Sequence, residues 1–509
     1  MEADKESGKE RPPRGEEVLN PKKLARLIYP EFRFGKTSPE YALRLVELGV
    51  GGFCFYGGSA EEVREMSRTL RAASETPLLI ASDYENGAGQ WVKGATELPS
   101  NMAIGASGSE DLARRKGGIT ALEAKALGVD WIFAPVVDLG GRAANPIVNI
   151  RAFGADRELV SRLAGAYVGG VSSQGAVSCL KHFPGHGDTA VDSHLELPEV
   201  KRGRQQLEEE DLKPFAALAR RADSVMVGHL SVPALDASAP ASLSKEIITG
   251  LLRNKLGYGG LVLTDALNMK AVCADGGAGV KALLAGADVL LYPEDPFTLF
   301  EELSRAAADG TVTAAAVELA LVRQDLLVRK LSPYRVSPPA FDVVNCAEHR
   351  AFNTEAAAQC LAWAVGDWDF RLQPGATVGY FEPLTPVSAW KGSAFVSELA
   401  RLGVRVAPYE PGRDMRLVAG VFSKPRAGSG GINLSKEEQA ALEKALMGAE
   451  SSVIAAFGSP YIFNGLANRP TAGLCAFCAL DEFQRAAARA LTGAVVAGGK
   501  MPVKVEVGI

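Results

Sequence analysis

GAVSCLKHF, residues 175 to 183, is a short apolar run that gives way at its end to Lys181 and His182, and this ending decides how the chain reads. Runs of the same kind recur: GVGGFCFYGG (49–58), PLLIASD (77–83), GVDWIFAPVVD (128–138), SVMVGHL (224–230), GGLVLTD (259–265) and ADVLLYP (287–293). Helical patterns fall between them, such as the one opened by the capping box Ser59 to Glu62, whose Val63, Met66 and Leu70 supply an apolar face. From about residue 45 to 295 this is the rhythm of repeated βα units around a parallel sheet. Several runs end in a polar group: Asp83, Asp138, Lys181 with His182, His229 and Asp265. A (β/α)₈ barrel builds its active site from C-terminal strand ends and the loops that follow, so the pattern predicts a catalytic barrel. Helix N-caps after strands would account for one or two of these carboxylates, not comfortably for all.

Outward from the barrel, LSPYRVSPPAFDVVN (331–345) carries the prolines of a linker. Beyond it ATVGYF, VRVAPY, RLVAGVF, SVIAAF and LCAFCA predict a second α/β unit, an open, doubly wound sheet packed as an α/β sandwich, with a helix opened by the capping box Ser435 to Glu438. The expected organisation is a disordered tail over 1–15, a TIM-like (β/α)₈ barrel over 16–330, a linker over 331–345 and the C-terminal sandwich domain over 346–509. No GxGxxG follows a strand in the second unit and no P-loop is present, so nucleotide binding has no support.

A chain of 509 residues exceeds what one hydrophobic core usually serves. Its formal net charge of -5 and the lack of a basic cluster argue against nucleic acid as a partner. The charged opening MEADKESGKERPPRG is not a secretory signal, and no apolar run approaches the roughly 18 residues of a membrane span. Cytoplasmic residence is the expectation, and seven scattered cysteines fit reduced thiols. Cys475 and Cys478 form a CxxC with no second pair nearby, so they are read as structural thiols in a buried strand.

The densest chemistry lies in KHFPGHGDTAVDSH (181–194), which holds His182, His186 and His194 with Asp188 and Asp192 directly after a strand. Gly185, Gly187 and Pro184 make it a shaped loop. Zinc ligation by the three histidines is a rival reading, but their spacing matches no helical H-x-x-x-H arrangement and the glycines would hold ligands poorly. An acid–base reading needs less, because Asp192 stands two residues from His194 and a carboxylate beside an imidazole fixes its tautomer and stabilises its charged form. Such a proton shuttle is what cleavage of a glycosidic bond requires, although a hydrogen-bonded surface loop has the same composition. In GGLVLTDALNM (259–269) the apolar LVL leads into Thr264 and Asp265, aiming a carboxylate at the barrel mouth, where it could attack an anomeric carbon. A strand-ending aspartate is common, so alone it decides little. His229 is read as support behind a strand end, His349 as a solvated residue, and Trp91 as a packed aromatic.

The loop KHFPGHGDTAVDSH with LELP (195–198) resembles, almost residue for residue, the signature loop of the bacterial β-N-acetylglucosaminidases of glycoside hydrolase family three. ASDYENG (81–87), FAPVVD (133–138), NIRAFGAD (149–156), PALD (233–236) and VLTDALNM (262–269) resemble the family in the same order, and AFGSPYIF (456–463) and GKMPVKV (499–505) resemble its second domain. The resemblance implies a retaining hydrolase of terminal β-linked N-acetylglucosamine, with Asp265 as nucleophile and His194, supported by Asp192, as acid–base. It implies that Asp83, Arg151, Lys181 and His182 hold the sugar hydroxyls, and that no metal or organic cofactor is used. A small glycan or cell-wall fragment is the implied substrate, with cell-wall recycling as its setting and no membrane or nucleic-acid partner. Two departures stand out. DYENGAG (83–89) replaces a D-Q-E-G-G-R pattern, so that Ala88 stands where the arginine is expected, and Glu196 adds a carboxylate beside the loop. Alternatives within the family are a phosphorylase and a β-glucosidase, and outside enzymes a catalytically retired sugar-binding protein.

Overall fold

The computed structural model describes residues 20–191, 196–273, 276–366, 370–413, 415–423 and 433–507. Its first unit opens with a strand broken at Pro30 into β1 (Ile28–Tyr29) and β2 (Glu31–Arg33). There follow β3 (Gly52–Tyr56), β4 (Leu79–Ser82), β5 (Trp131–Ile132), β6 (Val177–Phe183), β7 (Ser224–Val227), β8 (Leu261–Thr264) and β9 (Leu290–Leu291). Strands β2 to β8 form one parallel sheet in chain order. A Leu263–Val289 bridge joins β8 to the approach of β9, and β9 pairs in parallel with β1. The sheet therefore returns on itself, with β1 and β2 sharing one position and β3 to β9 filling seven more, as in a (β/α)₈ barrel.

This first strand escaped the sequence reading, which began the rhythm near residue 45. Pro30 splits LIYPEFRF, and Glu31 and Arg33 alternate with apolar neighbours, so no continuous run marks it. Inward-facing residues fill the barrel: Tyr29, Cys54, Tyr56, Ala81, Trp131, Phe133, Cys179, Met226 and Leu263 form one cluster that Leu327 and Leu331 join. Trp131 is fully buried, and its indole N–H donates to Ser224 Oγ at 2.8 Å, so its one polar atom is satisfied. Helices outside bury the opposite side. In Ala60–Ala73 the Ser59–Glu62 capping box forms as expected, with Val63 and Leu70 buried.

Leu327 and Leu331 belong to the helix Ala314–Val336, which runs into the stretch expected as linker. Pro333 does not stop it, because Leu331 is buried and Arg335 beyond the proline donates to Asp130 and to Leu78 O.

The second unit is a six-stranded sheet of β10 (Ala362–Gly366), β11 (Thr377–Phe381), β12 (Arg405–Pro408), β13 (Arg416–Val421), β14 (Ser452–Ala456) and β15 (Ala472–Cys475). The spatial order is β10-β15-β14-β13-β11-β12, parallel except for β10, which runs antiparallel on the edge and was missed in the sequence. Parallel neighbours reverse direction of winding at β11 and β13, as a doubly wound sheet requires. The buried strand expected through Cys478 ends at Cys475. Phe477 takes a left-handed φ of 59° and its carbonyl accepts from Ser100 Oγ of the first unit at 3.0 Å. Apolarity continues past the strand end because this turn is buried between the units. No helix among the described residues is long and apolar enough to cross a membrane.

Candidate active site

At the C-terminal ends of the barrel strands the expected sugar-binding residues converge. Lys181, inside β6, donates through Nζ to Asp83 Oδ1 at 2.5 Å and lies 2.7 Å from Glu85 Oε1. Arg151, on the short turn Asn149–Arg151, grips Glu85 with two bonds, Nε to Oε2 at 2.9 Å and Nη2 to Oε1 at 2.7 Å. The same guanidinium approaches His182 Nε2 at 3.4 Å, while His182 Nδ1 lies 2.7 Å from Asp138 Oδ2. With a carboxylate on one side and a guanidinium on the other, the ring donates through Nδ1 and accepts at Nε2. Asp83, Arg151, Lys181 and His182 are thus one cradle. The cradle is open at Asp83 and Arg151, with 24% and 26% of their side chains exposed against 2% for Lys181.

Glu85 joins the cradle without having been anticipated. Burial works against its charge, but Arg151 and Lys181 hold its carboxyl well below the usual range. The available signal was a second acid two residues after Asp83 in a run that should have left the barrel. Tyr56 is a further addition: its hydroxyl bonds Asp83 Oδ2 and Tyr292 bonds Tyr56 in turn. Trp91, read as packed, is edge-on to Tyr56 and donates its indole N–H to the Asp83 carbonyl at 3.0 Å, so it positions the cradle.

Asp138, rooted after β5, accepts from the backbone N–H of His182 at 3.2 Å and of His186 at 2.7 Å, fixing the start of the loop. His186 is buried, and burial, followed by its neighbour His182, pushes its ring down to about 4, so it is uncharged near neutral pH. Asp192 and His194 lie outside the described residues. Glu196, just past them, is exposed.

Asp265 stands at the end of β8, separated from β6 by β7, and is partly exposed. Its backbone N–H donates to Val227 O at 2.9 Å, and its Oδ1 accepts from the N–H of Ala266 at 2.8 Å. His229 steadies the same turn: Nε2 meets Ala266 O at 2.9 Å and Nδ1 meets Ser242 Oγ at 2.6 Å. Among the described residues no three His, Cys, Asp or Glu groups converge as metal ligands.

His349, read as solvated, is instead buried with Nδ1 2.7 Å from Glu123 Oε1, a contact that bridges the two units. The second unit also reaches the site's rim, since the Tyr461 hydroxyl bonds Gly140 O, two residues past Asp138, and Pro502 O accepts from Ala155 N at 3.0 Å.

Known proteins share the fold. A β-N-acetylglucosaminidase structure from Paenibacillus sp. str. FPU-7 superposes with a TM-score of 0.84 at 27% identity, covering 97% of this chain and 100% of that one. A β-glucoside phosphorylase, at 23% identity and a TM-score of 0.86 with 96% and 94% covered, shares the fold. A β-hexosaminidase of Xylella fastidiosa (strain M23) is 40% identical over 272 residues, which are 51% of this chain and 80% of that protein. A β-N-acetylglucosaminidase/β-glucosidase of Cellulomonas fimi is 33% identical over 347 residues, 64% of this chain, which spans 61% of that protein's length. The pattern of the glycosyl hydrolase family 3 N terminal domain matches residues 20–325, and the chain belongs to glycosyl hydrolase family 3.

Proposed function

We propose that the chain is a retaining glycoside hydrolase that releases terminal β-linked N-acetylglucosamine by double displacement. The observation that carries this reading is the ion-paired cradle of Asp83, Glu85, Arg151, Lys181 and His182, buried at Glu85, Lys181 and His182 and open at Asp83 and Arg151, at the same end of the barrel strands as Asp265. Ionised donors and acceptors held in fixed directions suit the hydroxyls of one terminal sugar. The acetylglucosaminide specificity is supported by names of relatives such as the Xylella fastidiosa and Paenibacillus proteins.

In the first step an Asp265 oxygen attacks the anomeric carbon. The glycosidic C–O bond breaks, and the departing oxygen takes a proton from His194, whose charge Asp192 stabilises. In the second step His194 removes a proton from water, the water oxygen bonds the same carbon, and Asp265 is released as a carboxylate. The Ala266 N–H on Oδ1 orients the aspartate that attacks. His186 is a poor alternative donor, because a ring that titrates near 4 carries almost no proton to give at neutral pH. A short glycan or cell-wall fragment as substrate, and a cytoplasmic setting in cell-wall recycling, belong to the same proposal and rest on the resemblance.

An aryl β-N-acetylglucosaminide should be cleaved with much higher kcat/KM than the β-glucoside, at a rate indifferent to added phosphate. A fluorinated sugar that traps the intermediate should label the peptide containing Asp265. Labelling elsewhere refutes the nucleophile, equal efficiencies refute the sugar, and phosphate-dependent turnover makes the enzyme a phosphorylase.

A further inference from the structure

Lys116 is an ammonium with no exposed surface, on the helix Glu110–Ala126 beneath the cradle. It makes no ion pair among the described residues. Its Nζ donates instead to two amide oxygens, Asn101 Oδ1 at 2.6 Å and Asn86 Oδ1 at 3.4 Å. An isolated buried cation is expensive, so a chain that keeps one has a use for it. The two amides show which. Asn86 follows Glu85 directly, and its backbone is closed by Gln90, which accepts from Asn86 N at 2.8 Å. Asn101 donates through Nδ2 to the carbonyl of Arg151 at 2.8 Å. Lys116 therefore joins, from below, the two segments that present Glu85 and Arg151 to each other.

The same helix packs against the turn Ala88–Gln90, and Ala88 is buried. Ala88 is the position at which the chain departs from the D-Q-E-G-G-R pattern by losing an arginine. The turn thus lacks a guanidinium, and the helix that touches it carries a buried ammonium.

We propose that Lys116 is a positioning residue of the cradle, an ammonium that replaces the cation missing at position 88 and ties the Asp83–Glu85 segment to the Arg151 turn. Burial pushes this ammonium down to about 7, against the pull of Glu85, and the thiols of Cys360 and Cys478 are the other titratable groups acting on it. The inference rests on reading the cradle as a sugar site, and its test separates the two.

The test is a charge swap read in two ways. In the first, melting temperature is measured without substrate for wild type, Ala88→Arg and Ala88→Arg/Lys116→Ala. Ala88→Arg adds a second cation to a buried turn against which the helix of Lys116 packs and should melt several degrees lower, whereas the double variant, with one cation and the space of the lysine, should recover most of the loss. In the second, Lys116→Met should raise KM for an aryl β-N-acetylglucosaminide on the order of 10-fold with kcat much less affected, because binding of the terminal sugar loosens while Asp265 is untouched. The double variant should bring KM back toward wild type. An Ala88→Arg protein as stable as wild type, or a double variant no better than Ala88→Arg, overturns the proposal whether or not Lys116→Met folds. So does an unchanged KM in Lys116→Met. A wild type inactive on the acetylglucosaminide defeats the functional reading instead and leaves the melting result standing on its own.

Discussion

Glu85 illustrates how much one side chain carries at the residue scale. Its two oxygens take two bonds from Arg151 and one contact from Lys181, and it is almost wholly buried. Glu85→Gln keeps the shape and removes the charge that both cations need. Breaking one partner out of a buried ionic cluster typically costs about 3 kcal/mol, since the remaining charges stay buried without compensation. The variant should lose stability of that order in urea unfolding and lose kcat/KM by on the order of 10²-fold, mostly through KM. A stable variant with normal KM would show that Glu85 is not what aligns Arg151 and Lys181.

At the scale of elements, the loop that leaves β6 is packed against a carboxyl group that does not want to be charged. Gly185 sits at φ 132°, and a Cβ there would lie 2.7 Å from Asp211 Cβ, so the loop lies directly on that residue. Burial pushes Asp211 up to about 6 despite its 2.7 Å bond from Arg202, and Asp138 and Asp188 act in the same direction. A carboxyl whose folded value exceeds its unfolded one near 4 favours the fold fully below pH 4 and loses that contribution as pH rises through about 6. Wild type should therefore give up on the order of 2 kcal/mol between pH 4 and 7 that Asp211→Asn keeps. Parallel pH–unfolding curves would rule this out. Elements also show why some of the fold was legible in sequence. Most strands of the barrel from β3 onward, and β11, β13 and β14, are largely apolar runs with punctuated ends, and strand ends announced Asp83, Lys181, His182 and Asp265. The first strand was hidden by Pro30, β10 lacked any turn signal separating it from the helix before it, and β15 was overdrawn because the turn after it is buried. Tyr56 and Lys116 were not legible, because each acts through a partner distant in sequence, while Glu85 was signalled only by its place two residues after Asp83.

For the whole molecule, the two units are joined by contacts of unequal worth. Arg115 and Glu355 make a bidentate pair at 2.7 Å on the exposed surface, where solvent screening leaves little. His349 and Glu123 are both buried, and despite burial the bonds from His349 and Thr96 hold Glu123 below the usual carboxylate range. His349→Ala should lower unfolding free energy by about 2 kcal/mol and Glu355→Ala by less than about 0.5 kcal/mol. Equal effects would mean that the buried pair does not join the units. The barrel's own closure has a different consequence, one of timing. Tyr292, immediately after β9, bonds Tyr56, which bonds Asp83, and β9 is also the strand that pairs with β1 to close the ring. During synthesis, then, a nascent chain that has emerged only as far as residue 290 already contains Asp83, Glu85, Arg151, Lys181 and His182, yet lacks Tyr292, which holds the tyrosine bonded to the first of them. Closing the ring therefore also completes the chain of tyrosine hydroxyls that reaches Asp83.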